Sequence, residues 1–195
     1  PELDFPGVAP TGDLPESVDF AMIKGEKEPN FKMLAFGDPQ PYTEEEVDYF
    51  DRDIVSELEG AEGFEFGITL GDIVGDDLDL FTPYTRSVSR VGIPWFNVYG
   101  NHDMNFDAAA DSLADETFER VFGPATYSFN HGDVHFIVVD DVVYPRMDGE
   151  PGYIGGYTDE QLTFIENNRK HVPDDKLGGV AFHSAIIVSE NRRTF

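Results

Sequence analysis

The chain has 195 residues, 40% of them hydrophobic and 13% aromatic, which is enough apolar material for one well-cored domain and excludes a disordered chain. It carries 39 Asp and Glu against 13 Lys and Arg, a net charge of −26, so its surface repels nucleic acid and anionic membranes; neither is expected as a partner. It has no Cys, which rules out disulfides and thiolate metal sites. Screening of this self-repulsion predicts greater stability in molar salt than in dilute buffer, as in a halophilic or marine protein.

Residues 1–30 hold Pro1, Pro6, Pro10, Pro15 and Pro29 among Gly and acidic residues, and read as an extended arm or linker with one short strand near residues 20–23. Residues 31–36 form the first expected strand. Thr43 and Glu46 have capping-box spacing, and Val47, Phe50, Ile54, Val55 and Leu58 then recur at helical intervals, predicting a helix to about residue 59. A strand is expected over 64–70, a helix with an irregular start at Pro83 over 78–91, a strand over 93–98 and a helix over 106–122.

The pattern then changes. Residues 126–129 and 134–139, joined by the turn at 130–133, read as an antiparallel hairpin. A loop at 141–157 is long enough to be functional. Thr158 and Gln161 predict another capped helix, ended by Val172-Pro173, and residues 177–182 a last strand. Ser189 reads as the N-cap of one more helix. Strands alternating with helices, with one hairpin inserted, define an α/β fold with mixed sheets. No apolar run is long enough to span a membrane.

Four of the expected strands end in side chains suited to metal ligation or proton transfer. Asp38 and Gln40 follow the first, Asp72 the second, Asn101 and His102 the third, and His183 the last. In open α/β sheets the carboxyl ends of the strands are where ligands bind. Asp38-Pro39-Gln40-Pro41 is expected to be extended, because each Pro biases the residue before it; Asp38 and Gln40 then face one ion, unless the stretch is an ordinary Pro-rich turn. In Gly71-Asp72-Ile73-Val74-Gly75 a single carboxylate could bridge two cations ~3.5–4 Å apart, or simply close a Gly-Asp turn. In Gly100-Asn101-His102-Asp103, Asn101 offers a neutral oxygen, His102 suits proton transfer, and Asp103 could fix the His102 tautomer. His183 at a strand end reads as a ligand. His135 lies inside a strand and reads as structural, His131 falls in the hairpin turn and His171 at a helix end. Asp76, Asp77 and Asp79 read as a solvated helix start, since their spacing does not fit a calcium loop.

Taken in order, Asp38-x-Gln40, Gly71-Asp72-x-x-Gly75, Gly100-Asn101-His102-Asp103 and His183 resemble the motifs of the calcineurin-like metallophosphoesterase superfamily, from about residue 31 to the carboxyl end. The bacterial branch with flanking accessory β-rich domains is the nearest likeness. The resemblance implies a four-layer α/β/β/α sandwich with a centre for two divalent transition metal ions (Mn, Fe or Zn). Asp38 and Gln40 would hold the first ion, Asp72 both, and Asn101 and His183 the second. His102 would be the outer acid, oriented by Asp103. The implied activity is hydrolysis of a phosphate ester by in-line attack of a hydroxide bridging the two ions. The other reading is a binding or scaffolding domain that keeps this fold without activity. Three departures stand out. Gln40 replaces the usual His, and an amide oxygen favours manganese over zinc. Ser184 and Ala185 follow His183 where Pro is common. The closing Gly-His-x-His motif is not in the chain, so the catalytic domain, residues 31–195, is expected to lack its carboxyl-terminal part. With Pro1 as its first residue and no leader in view, a periplasmic or secreted location is the favoured expectation.

Overall fold

A computed structural model describes residues 30–144 and 152–184. The expected amino-terminal arm, the helix from Ser189 and part of the 141–157 loop fall outside these residues. Three parallel strands, β1 (Met33–Phe36), β2 (Phe66–Leu70) and β3 (Trp95–Val98), form one sheet in that order. The second sheet is a hairpin of β4 (Tyr127–His131) and β5 (Val134–Val138), with β8 (Leu177–Ala181) parallel to β5. Between them in sequence, β6 (Val142–Val143) and β7 (Ile154–Gly155) make a small antiparallel ribbon in what was expected to be loop.

The period-2 alternation of strand side chains decides the layering. Ile68, Val98, Met33, Leu70 and Phe96 of the first sheet meet Val138, Tyr127, Phe129 and Ala181 of the second. Phe96 and Phe129 stack face to face with centroids 3.9 Å apart. The other face of the first sheet, with Leu34, Phe36 and Trp95, packs on Val47, Phe50, Val55, Tyr84 and Val88 from the helices. These belong to α1 (Glu44–Phe50), which runs on through a π-helical turn at Asp51–Val55 into α2 (Ser56–Leu58), and to α3 (Phe81–Val88). On the far side, α5 (Asp159–Lys170) lies against the second sheet, where Ser128 Oγ donates to Asn168 Oδ1 at 2.7 Å. The order of layers is helix, sheet, sheet, helix, as expected.

Local chemistry accounts for the differences from expectation. Thr43 caps α1 by accepting from the Glu46 amide, but Glu46 returns its carboxylate to Tyr42 N rather than to Thr43. Thr158 and Gln161 complete their capping box. The helix expected over 106–122 begins only at α4 (Glu116–Phe122), preceded by a 3-10 turn at Asp111–Leu113. The reason is Asn105: its Oδ1 accepts from Thr117 N, one of the amino-terminal amides of α4 that no helical carbonyl serves, and this fixes where the helix starts. His131 ends β4 rather than sitting in the turn. Its ring lies between the sheets, edge-on to Phe31 and Phe66. His135 is structural as expected, bonded through Nδ1 to Asn130 Oδ1.

Candidate metal centre

The carboxyl ends of β1, β2, β3 and β8 come together, and the glycines around them are there for space. A Cβ on Gly100 would run into the backbone nitrogen and Oδ1 of Asp72, and one on Gly71, whose φ is +85°, would run into the His183 imidazole. The two motif glycines thus let the β2 and β3 loops and the His183 ring close on one point. Gln40 N donates to the Asp72 carbonyl at 2.9 Å and Gly75 N to the Pro41 carbonyl at 2.8 Å, which ties the β1 loop to the β2 loop.

Among the described residues, backbone strain gathers at this centre. Among the described residues four non-glycines have positive φ: Asp38 (58°), Gln40 (46°), Asp72 (46°) and Asp76 (72°). The expectation of an extended Asp38–Gln40 segment is therefore corrected. Both adopt the left-handed conformation although each precedes a proline; at Gln40 the hydrogen bond to the β2 loop outweighs the local preference. Left-handed non-glycine residues persist where surrounding structure over-determines them, typically at functional sites.

Asp72 is 4% exposed, and its Oδ1 accepts from His102 N at 2.9 Å. Nε2 of His183 lies 3.2 Å from this same Oδ1 and 3.2 Å from Asn101 Oδ1. The other ring nitrogen, Nδ1, is 2.9 Å from the Leu70 carbonyl, which can only accept, so Nδ1 carries the proton. Nε2 of the neutral ring is then a lone pair facing two oxygen acceptors. Such an arrangement is stable only with a positive charge at its focus, either a proton on Nε2 or a cation. Burial works against the protonated ring, but Asp72, the Leu70 carbonyl and Asp141 outweigh it and raise the His183 pKa to about 9. The donor set of one carboxylate, one amide oxygen and one imidazole suits a divalent cation, and the Leu70 carbonyl holds the imidazole in the tautomer that ligation needs. Among the described residues no three His, Cys, Asp or Glu side chains gather closely enough to make a metal group by themselves, so the set depends on the amide of Asn101. Asp38 is exposed and Gln40 partly so; the Gln40 backbone is tied to that of Asp72.

Asp103 is not where its expected role requires. It is fully buried, and its carboxylate accepts from Ile73 N, Val74 N and Gly100 N at 3.0–3.1 Å. It therefore holds the β2 and β3 loops together instead of orienting His102. Burial raises its pKa against the pull of those amides. The partner of His102 is Asp76, whose Oδ1 lies 2.6 Å from Nδ1. Asp76 was read only as part of a helix start; Asp77 is the residue that caps the following 3-10 turn.

Sequence reasoning also passed over Asp141. It is 1% exposed, and its carboxylate accepts from His183 N at 3.2 Å and from Ser184 N at 2.9 Å, fixing the loop that presents the His183 ring. Asp140 and Asp141 follow β5 just as Asp72 follows β2, so the strand-end pattern itself was the signal that could have found them.

No protein-family model matches the chain, and no curated protein matches it. A solved structure does: a dimetal phosphatase from Danio rerio superposes with a TM-score of 0.55, at 13% sequence identity, over 80% of this chain and 70% of that one. The chain shares the α/β fold of that structure. That likeness fits the metallophosphoesterase-type arrangement that the motifs suggested.

Proposed function

We propose that this protein is a metal-dependent hydrolase of phosphate esters. The observation that carries the reading is the convergence of Asp72 Oδ1, Asn101 Oδ1 and His183 Nε2 at the strand ends of a dimetal-phosphatase fold. Asn101 and His183 would hold one divalent ion, Asp38 and Gln40 another, with Asp72 shared. Ions so placed activate water and offset charge on the phosphoryl oxygens. Mn, Fe and Zn all suit these donors, and Gln40 favours manganese. His102 supplies the proton for the departing oxygen from Nε2, while Asp76 holds Nδ1–H and stabilises the charged ring. Asp103 and Asp141 keep the ligand-bearing loops in register. We extend the reading to the bacterial branch with flanking accessory domains, which sequence flanking these 195 residues would test.

The experiment is Mn2+-dependent hydrolysis of p-nitrophenyl phosphate, with Mn2+ binding measured by calorimetry. The expected result is chelator-sensitive turnover that Asp72→Asn abolishes. Turnover that survives chelation or Asp72→Asn would overturn the reading. A second reading, a non-catalytic domain on the same fold, is favoured by the reliance of the donor set on a neutral amide; Mn2+ binding without turnover would select it.

A further inference from the structure

At the rim of the centre stands an aromatic ring that the hydrolysis itself leaves unused. Tyr42 is 49% exposed, yet it is held firmly. Its backbone N–H donates to Glu46 Oε2 at 2.5 Å. Its ring covers Gly75 so closely that a Cβ there would lie 2.6–2.8 Å from three ring carbons. It meets the His102 imidazole edge-on, with centroids 6.0 Å apart and planes at 76°. A solvent-facing ring fixed in this way is a preorganised surface for another planar group, which gains contact there without ordering the side chain first.

Position and charge select the group that would use it. If His102 gives its proton to the departing oxygen, as in the function proposed above, the leaving group sits beside His102 and so against Tyr42. The carboxylates of Asp76, Asp72, Asp38 and Glu46 surround the same phenol. Those carboxylates repel a leaving group that carries further negative charge. We propose that Tyr42 is the platform for the leaving group, and that the substrates are phosphate esters of neutral alcohols bearing a planar aromatic ring. In the step itself, water oxygen forms the new bond to phosphorus and gives up a proton to solvent. The bond from phosphorus to the alcohol oxygen breaks, and that oxygen takes the His102 proton.

Benzyl phosphate and cyclohexylmethyl phosphate test this, because their leaving alcohols are alike in reactivity and size and differ in planarity. With Mn2+ present, the wild-type protein is expected to prefer the benzyl ester at least tenfold in kcat/KM, chiefly through KM. Tyr42→Phe should keep that ratio, and Tyr42→Leu should bring it within twofold of unity with the folded circular dichroism spectrum retained. Equal use of the two esters by the wild type, or an unchanged ratio in Tyr42→Leu, would overturn the platform while leaving the phosphoesterase reading intact. Failure on p-nitrophenyl phosphate as well would overturn both.

Discussion

Nδ1 of His102 lies 2.6 Å from Oδ1 of Asp76, so the imidazole is oriented by an acid four residues beyond Asp72 and not by its own neighbour Asp103. The pair leaves Nε2 as the nitrogen free to exchange a proton. His102→Ala is expected to lower turnover by about 10²–10⁴-fold, with Mn2+ stoichiometry unchanged. Asp76→Asn keeps the ring and loses the anionic partner, so a loss of about 10–100-fold is expected. Loss of Mn2+ in parallel with turnover would show that His102 is a ligand.

Asp103 serves three buried amides with one carboxylate. Asp103→Ala strands all three. Each unserved buried donor costs about 1–3 kcal/mol, a large share of a typical domain stability of about 5–15 kcal/mol. Urea denaturation should therefore show a loss of about 3 kcal/mol or more. A change below about 0.5 kcal/mol, the usual range at surface positions, would show that the loops hold together without this residue.

The glycines give a sharper test of the geometry. Gly100→Ala places a methyl group against the Asp72 backbone and carboxylate, whereas Gly178→Ala in β8 meets nothing within 4 Å. The first should abolish Mn2+ binding or folding, and the second should leave the thermal midpoint within a few degrees of wild type. Equal tolerance at both sites would contradict the closeness of the β2 and β3 loops.

Asp115 gives the protein a further pH dependence. Burial, followed by the charges of Glu119, Asp111 and Glu116, raises its pKa from 3.8 to about 6. A carboxyl whose folded pKa exceeds its unfolded value favours the fold fully when protonated, and that contribution is lost as pH rises through the folded value. Asp115→Asn should therefore match the wild type near pH 3.8 and become the more stable protein as pH passes 6. Thermal melts across that window measure the difference, and a gap that does not widen would refute the assignment.

The order of strands and the loops that carry the centre were legible because a strand announces itself by alternation and its end by a glycine. What each side chain faces within a loop was not. His102 and Asp103 are adjacent, so spacing suggested that they act together. The tight turn sends the Asp103 carboxylate inward, toward the Gly100 amide of its own turn and two amides of the distant β2 loop. The prolines at 39 and 41 favour extended residues before them, but a hydrogen bond donated by Gln40 N to the distant Asp72 carbonyl decided the backbone at Gln40. The helix expected over 106–122 was shortened by the Asn105 side chain, whose contact with Thr117 cannot be inferred from periodicity.

The left-handed backbones at Asp38, Gln40, Asp72 and Asp76 bear on how this protein would respond to selection. Such conformations cost about 1–3 kcal/mol each in a side-chain-bearing residue and little in glycine. A library screened for heat resistance alone would be drawn to glycine at these four positions. Each such gain would delete a carboxylate or an amide from the centre, so the mutations that most readily harden the fold are the ones that would empty it of chemistry.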